Sequence, residues 1–242
     1  MQELEQEMRR LQDEVLGLGR VIEGAIVESV DLFRWRALPT SSSLIILNHQ
    51  IAKKRFAIEL DCITLLATRR PADSQLRAIA ATLEIVVELE RMGNCIAEIA
   101  EIHCMVVGVE DSLLDLLADI RHIAVETRDL LRGAMEAFDR QDLALACAVR
   151  AKSQEVNALY RQVHREALTF MGGKSRLMIK RARHLSQVAR NLARIADRVA
   201  NVCEWIIFVP KGDLAPKGDL ANTGDMVEIE NKPVDLYQEV LT

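Results

Sequence analysis

Five histidines and five cysteines are the side chains in this sequence best suited to hold a metal or to act as base or nucleophile. A di-iron carboxylate site in a helical protein needs two Glu-x-x-His motifs and two further glutamates on facing helices. Three residues before His49, His103, His122, His164 and His184 stand Ile46, Ala100, Asp119, Arg161 and Arg181. Only Asp119-x-x-His122 approaches the motif, and a single copy cannot build the site. The histidines therefore read as surface or helix-end residues. Cys62, Cys95, Cys104, Cys147 and Cys203 are odd in number, scattered, and never spaced C-x-x-C. They read as buried thiols in a reducing compartment rather than as a zinc or redox site. Gly172-Gly173-Lys174-Ser175 ends like a phosphate-binding loop, but the earlier glycine is missing and a helical pattern leads into it. No Gly-x-Ser-x-Gly elbow or dinucleotide fingerprint occurs. No catalytic residue is expected, and neither is an enzyme.

Charge offers one further constellation. Lys174, Arg176, Lys180, Arg181, Arg183 and His184 form a basic run. It reads either as a docking face for an acidic partner or anionic lipid, or as a solvated helix face paired with neighbouring acids. The second is the default. The whole chain carries −5 with a pI near 5.6, which argues against nucleic acid as the main partner. No uncharged apolar run is long enough to span a bilayer. The opening Met1-Gln2-Glu3-Leu4-Glu5 lacks the basic region and apolar stretch of a secretory signal. The expected location is cytoplasmic.

The elements that must position these residues are helices. Half of the residues are hydrophobic, 28% are charged and 4% are aromatic, with 11 Gly and 5 Pro. That is too poor in turn residues for a sandwich or barrel. The first segment spans about Gln2 to Ala37, where Leu4, Met8, Leu11, Val15, Leu18, Ile22, Ile26, Val30 and Phe33 make one stripe at steps of three and four. Pro39 is expected to end it, and Ser41 to Ser43 to cap the next. Ile51, Ile58, Cys62 and Leu65 mark the buried face of the second, which runs to about Thr68. The third opens after Pro71, with Asp73 in its first turn, and runs to Val107. A fourth begins at Asp111 or Ser112 and reaches Phe138 or Asp139. A fifth opens at Gln141-Asp142 and stops at Gly172-Gly173. The sixth starts near Lys174 or Ser175 and ends at Val209-Pro210. Helices of about thirty residues are about 45 Å long, and short connections make neighbours antiparallel.

The two halves repeat. Leu89 to Glu101 aligns with Leu192 to Glu204, with Leu, Arg, Ala and Glu identical at four positions and Met/Ile, Gly/Ala and two Ile/Val pairs between them. This predicts an all-α protein of two tandem antiparallel three-helix bundles, 1–108 and 109–209. The tail, 210–242, repeats Pro-Lys-Gly-Asp-Leu-Ala and loses the apolar period. It is expected to be disordered. Met92 with Ile96 and Ile195 with Val199 are at core spacing. Arg91 and Arg194 recur in both halves and are expected to make structural inter-helix hydrogen bonds with Glu101 and Glu204.

The chain resembles the PhoU family of phosphate-signalling regulators from Glu3 to about Val209. Four stretches carry the resemblance: Leu16 to Glu23, Ile58 to Pro71 leading to Gln75-Leu76-Arg77, Glu88 to Gly93, and Ala189 to Arg198. It implies two similar three-helix bundles in a cytoplasmic, often dimeric regulator that restrains the phosphate-starvation response. The partners implied are the ATP-binding subunit of the phosphate ABC transporter and the sensor histidine kinase. Family members that bind iron or zinc do so through acid-x-x-x-acid motifs, since residues four apart share a helix face. Here the third-helix motif reads Glu90 with Asn94 and Ala193 with Asp197, and the second-helix motif reads Asn48 with Ala52 and Ser153 with Asn157. The acid expected before Leu76-Arg77 is Gln75. Every pair has lost a carboxylate, so Glu90, Asn94 and Asp197 are the remaining candidate ligands, for a mononuclear ion at most. The alternative to a phosphate-signalling regulator is a helical adaptor that kept the fold and lost the role.

Overall fold

A computed structural model describes residues 2–35, 38–106, 113–171 and 175–212. Among these there are six long helices and no strand: α1 (Gln2–Trp35), α2 (Leu38–Thr68), α3 (Asp73–Met105), α4 (Leu114–Arg140), α5 (Leu143–Met171) and α6 (Arg176–Lys211). The spacing rule places the α1 stripe correctly, because Leu11, Val15, Leu18, Ile22, Ile26, Val30 and Phe33 are all buried. Ile51, Ile58, Cys62 and Leu65 are buried on α2 as expected.

Three helix starts show how local chemistry sets a boundary. The Ala72 N–H donates to the Gln75 side-chain oxygen at 2.8 Å, so Gln75 closes the first turn of α3. Asp142 accepts from the Leu145 N–H at 3.0 Å and opens α5. Ser175 accepts from the Met178 N–H at 3.3 Å and opens α6. Two proline expectations are corrected. Pro39 does not separate α1 from α2 but sits in the first turn of α2, where its missing N–H costs nothing. Ser41 is accordingly not a cap; it is buried inside the helix. Pro210 does not end α6 but lies within its last turn. Gly212 stops the helix instead, at φ 77° with its N–H on the Phe208 carbonyl at 2.8 Å. The breaks at 108–112 and 172–174 and the tail from 213 lie outside the described residues.

The packing order is α2 on α1 and α3, and α5 on α4 and α6, which gives the two bundles. They do not stand apart. α3 packs along α6 and α1 along α4 between the halves, while α1 packs on α3 and α4 on α6 within them. Four helices thus form a continuous centre, and α2 and α5 flank it. Gln12 of α1 donates to the Asp139 carbonyl of α4 at 3.0 Å. Arg77 of α3 donates to the Val209 carbonyl of α6 at 2.8 Å. Both bonds tie the two halves at one end of the molecule.

At the other end, His103 in the last turn of α3 is buried. Its Nδ1 lies 2.7 Å from the Ser41 hydroxyl, and its ring meets Phe33 edge-on. Burial depresses its pKa, against the opposing effect of the Leu32 carbonyl. Just below the unfolded pKa the unfolded chain therefore binds more protons than the folded chain. The His103 contribution to stability is full above the unfolded pKa of about 6.5 and is lost as pH falls below it. The urea midpoint should fall between pH 7.5 and 5.5, and His103→Gln should flatten that dependence. An unchanged slope in the variant would refute the assignment.

Candidate functional site

The repeated motif places its side chains on two opposed faces of α3 and α6. One face lies along the α3–α6 contact. Glu88 is buried there and accepts from Arg91 at 2.6 Å and from Arg198 of α6 at 3.4 Å. Arg194 of α6 donates to Glu98 of α3 at 2.8 Å and to the buried Asn191 at 2.9 Å. The two arginines thus each bond a residue three positions earlier, Glu88 in one half and Asn191 in the other. Arg194 crosses between helices as expected, but to Glu98. Arg91 stays within α3. The expected acids serve otherwise: Glu204 pairs with Arg150 of α5 at 3.0 Å, and Glu101 is exposed. Glu88 was missed in the sequence although it stands at the position equivalent to Asn191.

The other face of α3 meets α2. Gly93 lets the helices approach, since a Cβ there would lie 2.9 Å from Asn48 Oδ1 and 3.0 Å from Ile51 Cδ1. Asn48 donates to Asn94 at 2.9 Å. Glu90, one turn away, is ion-paired with Arg55 of α2 at 2.8 Å. In the second half, Asn157 of α5 donates to Asp197 of α6 at 2.8 Å. The counterpart of Asn48 is therefore Asn157 and not Ser153, one helical turn away from the sequence pairing. Glu90 and Asn94 look toward α2 while Asp197 looks toward α5, so the three candidate ligands do not converge.

These positions do not fit a multinuclear metal cluster. A cation at Glu90 would have to displace a guanidinium that already neutralises the carboxylate. The Asn94 oxygen is engaged by an amide, Asp197 by another, and Ala193 offers no donor. Among the described residues no group of three or more His, Cys, Asp or Glu is arranged to hold a metal. Asp119, the one near-match to an enzyme motif, is bonded to Glu166 of α5, and burial and that neighbour raise its pKa. Cys62, Cys95 and Cys203 are buried, and desolvation pushes their thiols up to about 11, 11 and 12. They are therefore protonated and poor nucleophiles. Cys104 is exposed and Cys147 half-buried, which corrects the expectation that all five are buried.

The sequence pattern of the two halves matches a known family twice. The PhoU domain family model matches residues 15–103 and 120–206. The chain belongs to the PhoU family. A similar curated relative is the phosphate-specific transport system accessory protein PhoU homolog of Pseudomonas putida, 27% identical over 211 residues, covering 87% of this chain and 82% of that one. The crystal structure of PhoU from Pseudomonas aeruginosa is similar with a TM-score of 0.77 and 25% identity, over 86% of this chain and 99% of that one. That of the phosphate transport system regulatory protein PhoU from Streptococcus pneumoniae has a TM-score of 0.78 at 22% identity, over 88% and 99%. The PhoU fold accounts for the paired motifs: each is the late part of the third helix of its repeat. No helix is long and apolar enough to cross a membrane among the described residues.

One surface is outside these motifs. Ile46, Phe56, Leu60 and Ile63 lie on the outward side of α2 and are 53–63% exposed. They oppose the buried Ile51, Ile58 and Cys62. α2 is thus apolar on two faces, and α5 has no such stripe.

Proposed function

We propose that this PhoU protein is a negative regulator of phosphate uptake and of the phosphate-starvation response. It acts without catalysis, in the cytoplasm and as a homodimer, by contact with the ATP-binding subunit of the phosphate transporter and with the sensor histidine kinase. Membership in a family of phosphate transport accessory proteins supports the pathway. The exposed apolar run Phe56, Leu60 and Ile63 on the outer face of α2 is the observation that carries the mode of action, because monomers rarely leave adjacent large side chains in water. The buried thiols, held protonated by desolvation, support a non-enzymatic role. Each half is taken as a unit, 1–108 and 109–209, with 210–242 as a tail.

Phe56→Asp with Leu60→Asp tests this reading. Both side chains point to solvent, so the variant should keep its circular dichroism spectrum. It should no longer capture the ATPase or the kinase in a pull-down. Capture undiminished by the variant would remove α2 as the docking surface. Failure of the unaltered chain to bind either partner, with normal alkaline phosphatase control after deletion, would sink the regulatory role. The alternative, an adaptor that has left phosphate signalling, is favoured by one observation: Arg55 occupies the Glu90 carboxylate. In either case Glu90 and Asp197 hold at most a mononuclear ion, and elemental analysis of protein purified without chelator should find less than a cluster's worth of iron or zinc.

A further inference from the structure

The basic run on α6 belongs to a larger feature that transporter and kinase contact leaves unused. Residues 161–190 hold eight Lys and Arg and a single acid, Glu166, in a chain that is acidic overall. On α5, Arg161 and Arg165 are exposed one turn apart. On α6, Arg176, Lys180, Arg183 and Arg190 follow at steps of four, three and seven and are exposed as well. None of these six makes an ion pair among the described residues, whereas Arg55 of α2 and Arg121 and Arg132 of α4 are each paired across helices. The one acid of this stretch, Glu166, accepts from Gln162 and faces Asp119 of α4.

Two large apolar side chains accompany the cations. Leu168, one turn beyond Arg165, is 50% exposed, and Leu177, beside Arg176, is 53% exposed. They flank the α5–α6 connection from both sides, at the end of the molecule where α5 finishes and α6 begins. A polyanion such as RNA would use the cations but leave the leucines in water. An acidic peptide would likewise be held by the cations without calling for exposed leucines beside them. A bilayer surface uses both: its phosphates meet the arginines and lysines, and the leucines enter the boundary of the acyl region.

We propose that the α5–α6 tip is a docking surface for anionic phospholipid membranes. The interaction is peripheral and reversible, with electrostatic attraction setting the affinity and the two leucines setting the depth. It is independent of the α2 stripe, so the lipid and protein contacts can be separated by mutation.

The test is co-sedimentation of the full chain with vesicles of phosphatidylcholine alone and with about 30% phosphatidylglycerol added. Binding should require phosphatidylglycerol and fall in high salt. Arg165→Gln, Arg176→Gln, Lys180→Gln and Arg183→Gln combined should weaken it about tenfold or more, given a several-fold contribution from each cation at an anionic surface. Leu168→Ser with Leu177→Ser should weaken it without changing the lipid preference. Arg9→Gln, Lys53→Gln, Lys54→Gln and Arg70→Gln, which remove as many charges elsewhere, should leave it intact, as should Phe56→Asp with Leu60→Asp. Equal losses in the two sets of charge variants would overturn the assignment. So would equal binding to both vesicle types, no vesicle binding, or retention only by RNA or an acidic protein.

Discussion

Leu192→Ala is expected to lower the free energy of unfolding by about 3 kcal/mol, and Leu89→Ala by a similar amount. Both leucines are fully buried, and they occupy equivalent positions on α6 and α3, which pack against each other. Truncation removes transfer free energy and leaves a void that helices this long cannot close by local adjustment. Urea denaturation measures the loss. It also reports on cooperativity, because α3–α6 and α1–α4 packing joins the halves. Each variant should shift one common transition. A loss below about 1 kcal/mol would show that the site relaxes freely. A biphasic curve in Leu192→Ala alone would show that the second half unfolds by itself.

The second large effect is a gain. Arg55→Gln, Asn48→Asp and Asn94→Asp together should create a site for a divalent cation where the native chain has none of comparable affinity. The first change releases Glu90 from its guanidinium partner. The other two convert an amide pair 2.9 Å apart into two carboxylates, one turn from Glu90 on the same face. Three carboxylates without a nearby cation repel each other and bind hard or borderline metals. The combined variant should therefore be less stable than the native chain in chelator and recover with manganese or zinc, with affinity raised roughly a hundredfold or more. Thermal melts with and without metal read this out. If native protein gains as much from metal as the variant does, Arg55 is not what blocks the site.

The helices were legible because their cores repeat at three and four residues over long spans, as Leu11 to Phe33 does. Boundaries were less so. A proline is tolerated in a first or last turn, so Pro39 and Pro210 did not mark the breaks they suggested. The α3 and α6 motifs align by a constant offset, but α2 and α5 do not share it, and only the pairing of Asn157 with Asp197 reveals their register. Arg55 could not be assigned to Glu90 in advance, because a long side chain can reach several acids, and it also bonds Glu59. The outer stripe of α2 went unseen for a different reason. Ile51, Ile58, Cys62 and Leu65 already satisfied the expectation of one buried face, and the second set at Phe56, Leu60 and Ile63 overlaps it along the helix.

The bonds from Gln12 to Asp139 and from Arg77 to Val209 join residues 127 and 132 positions apart. The partners that α1 and α3 meet across the halves, α4 and α6, are thus translated after α1 and α3 themselves. While the second half is still being translated, the sides of α1 and α3 that α4 and α6 will cover remain wet and adhesive. A nascent chain of this kind depends on rapid completion or on a chaperone holding it, and an mRNA truncated near its middle would yield an aggregation-prone fragment rather than a spare half-domain.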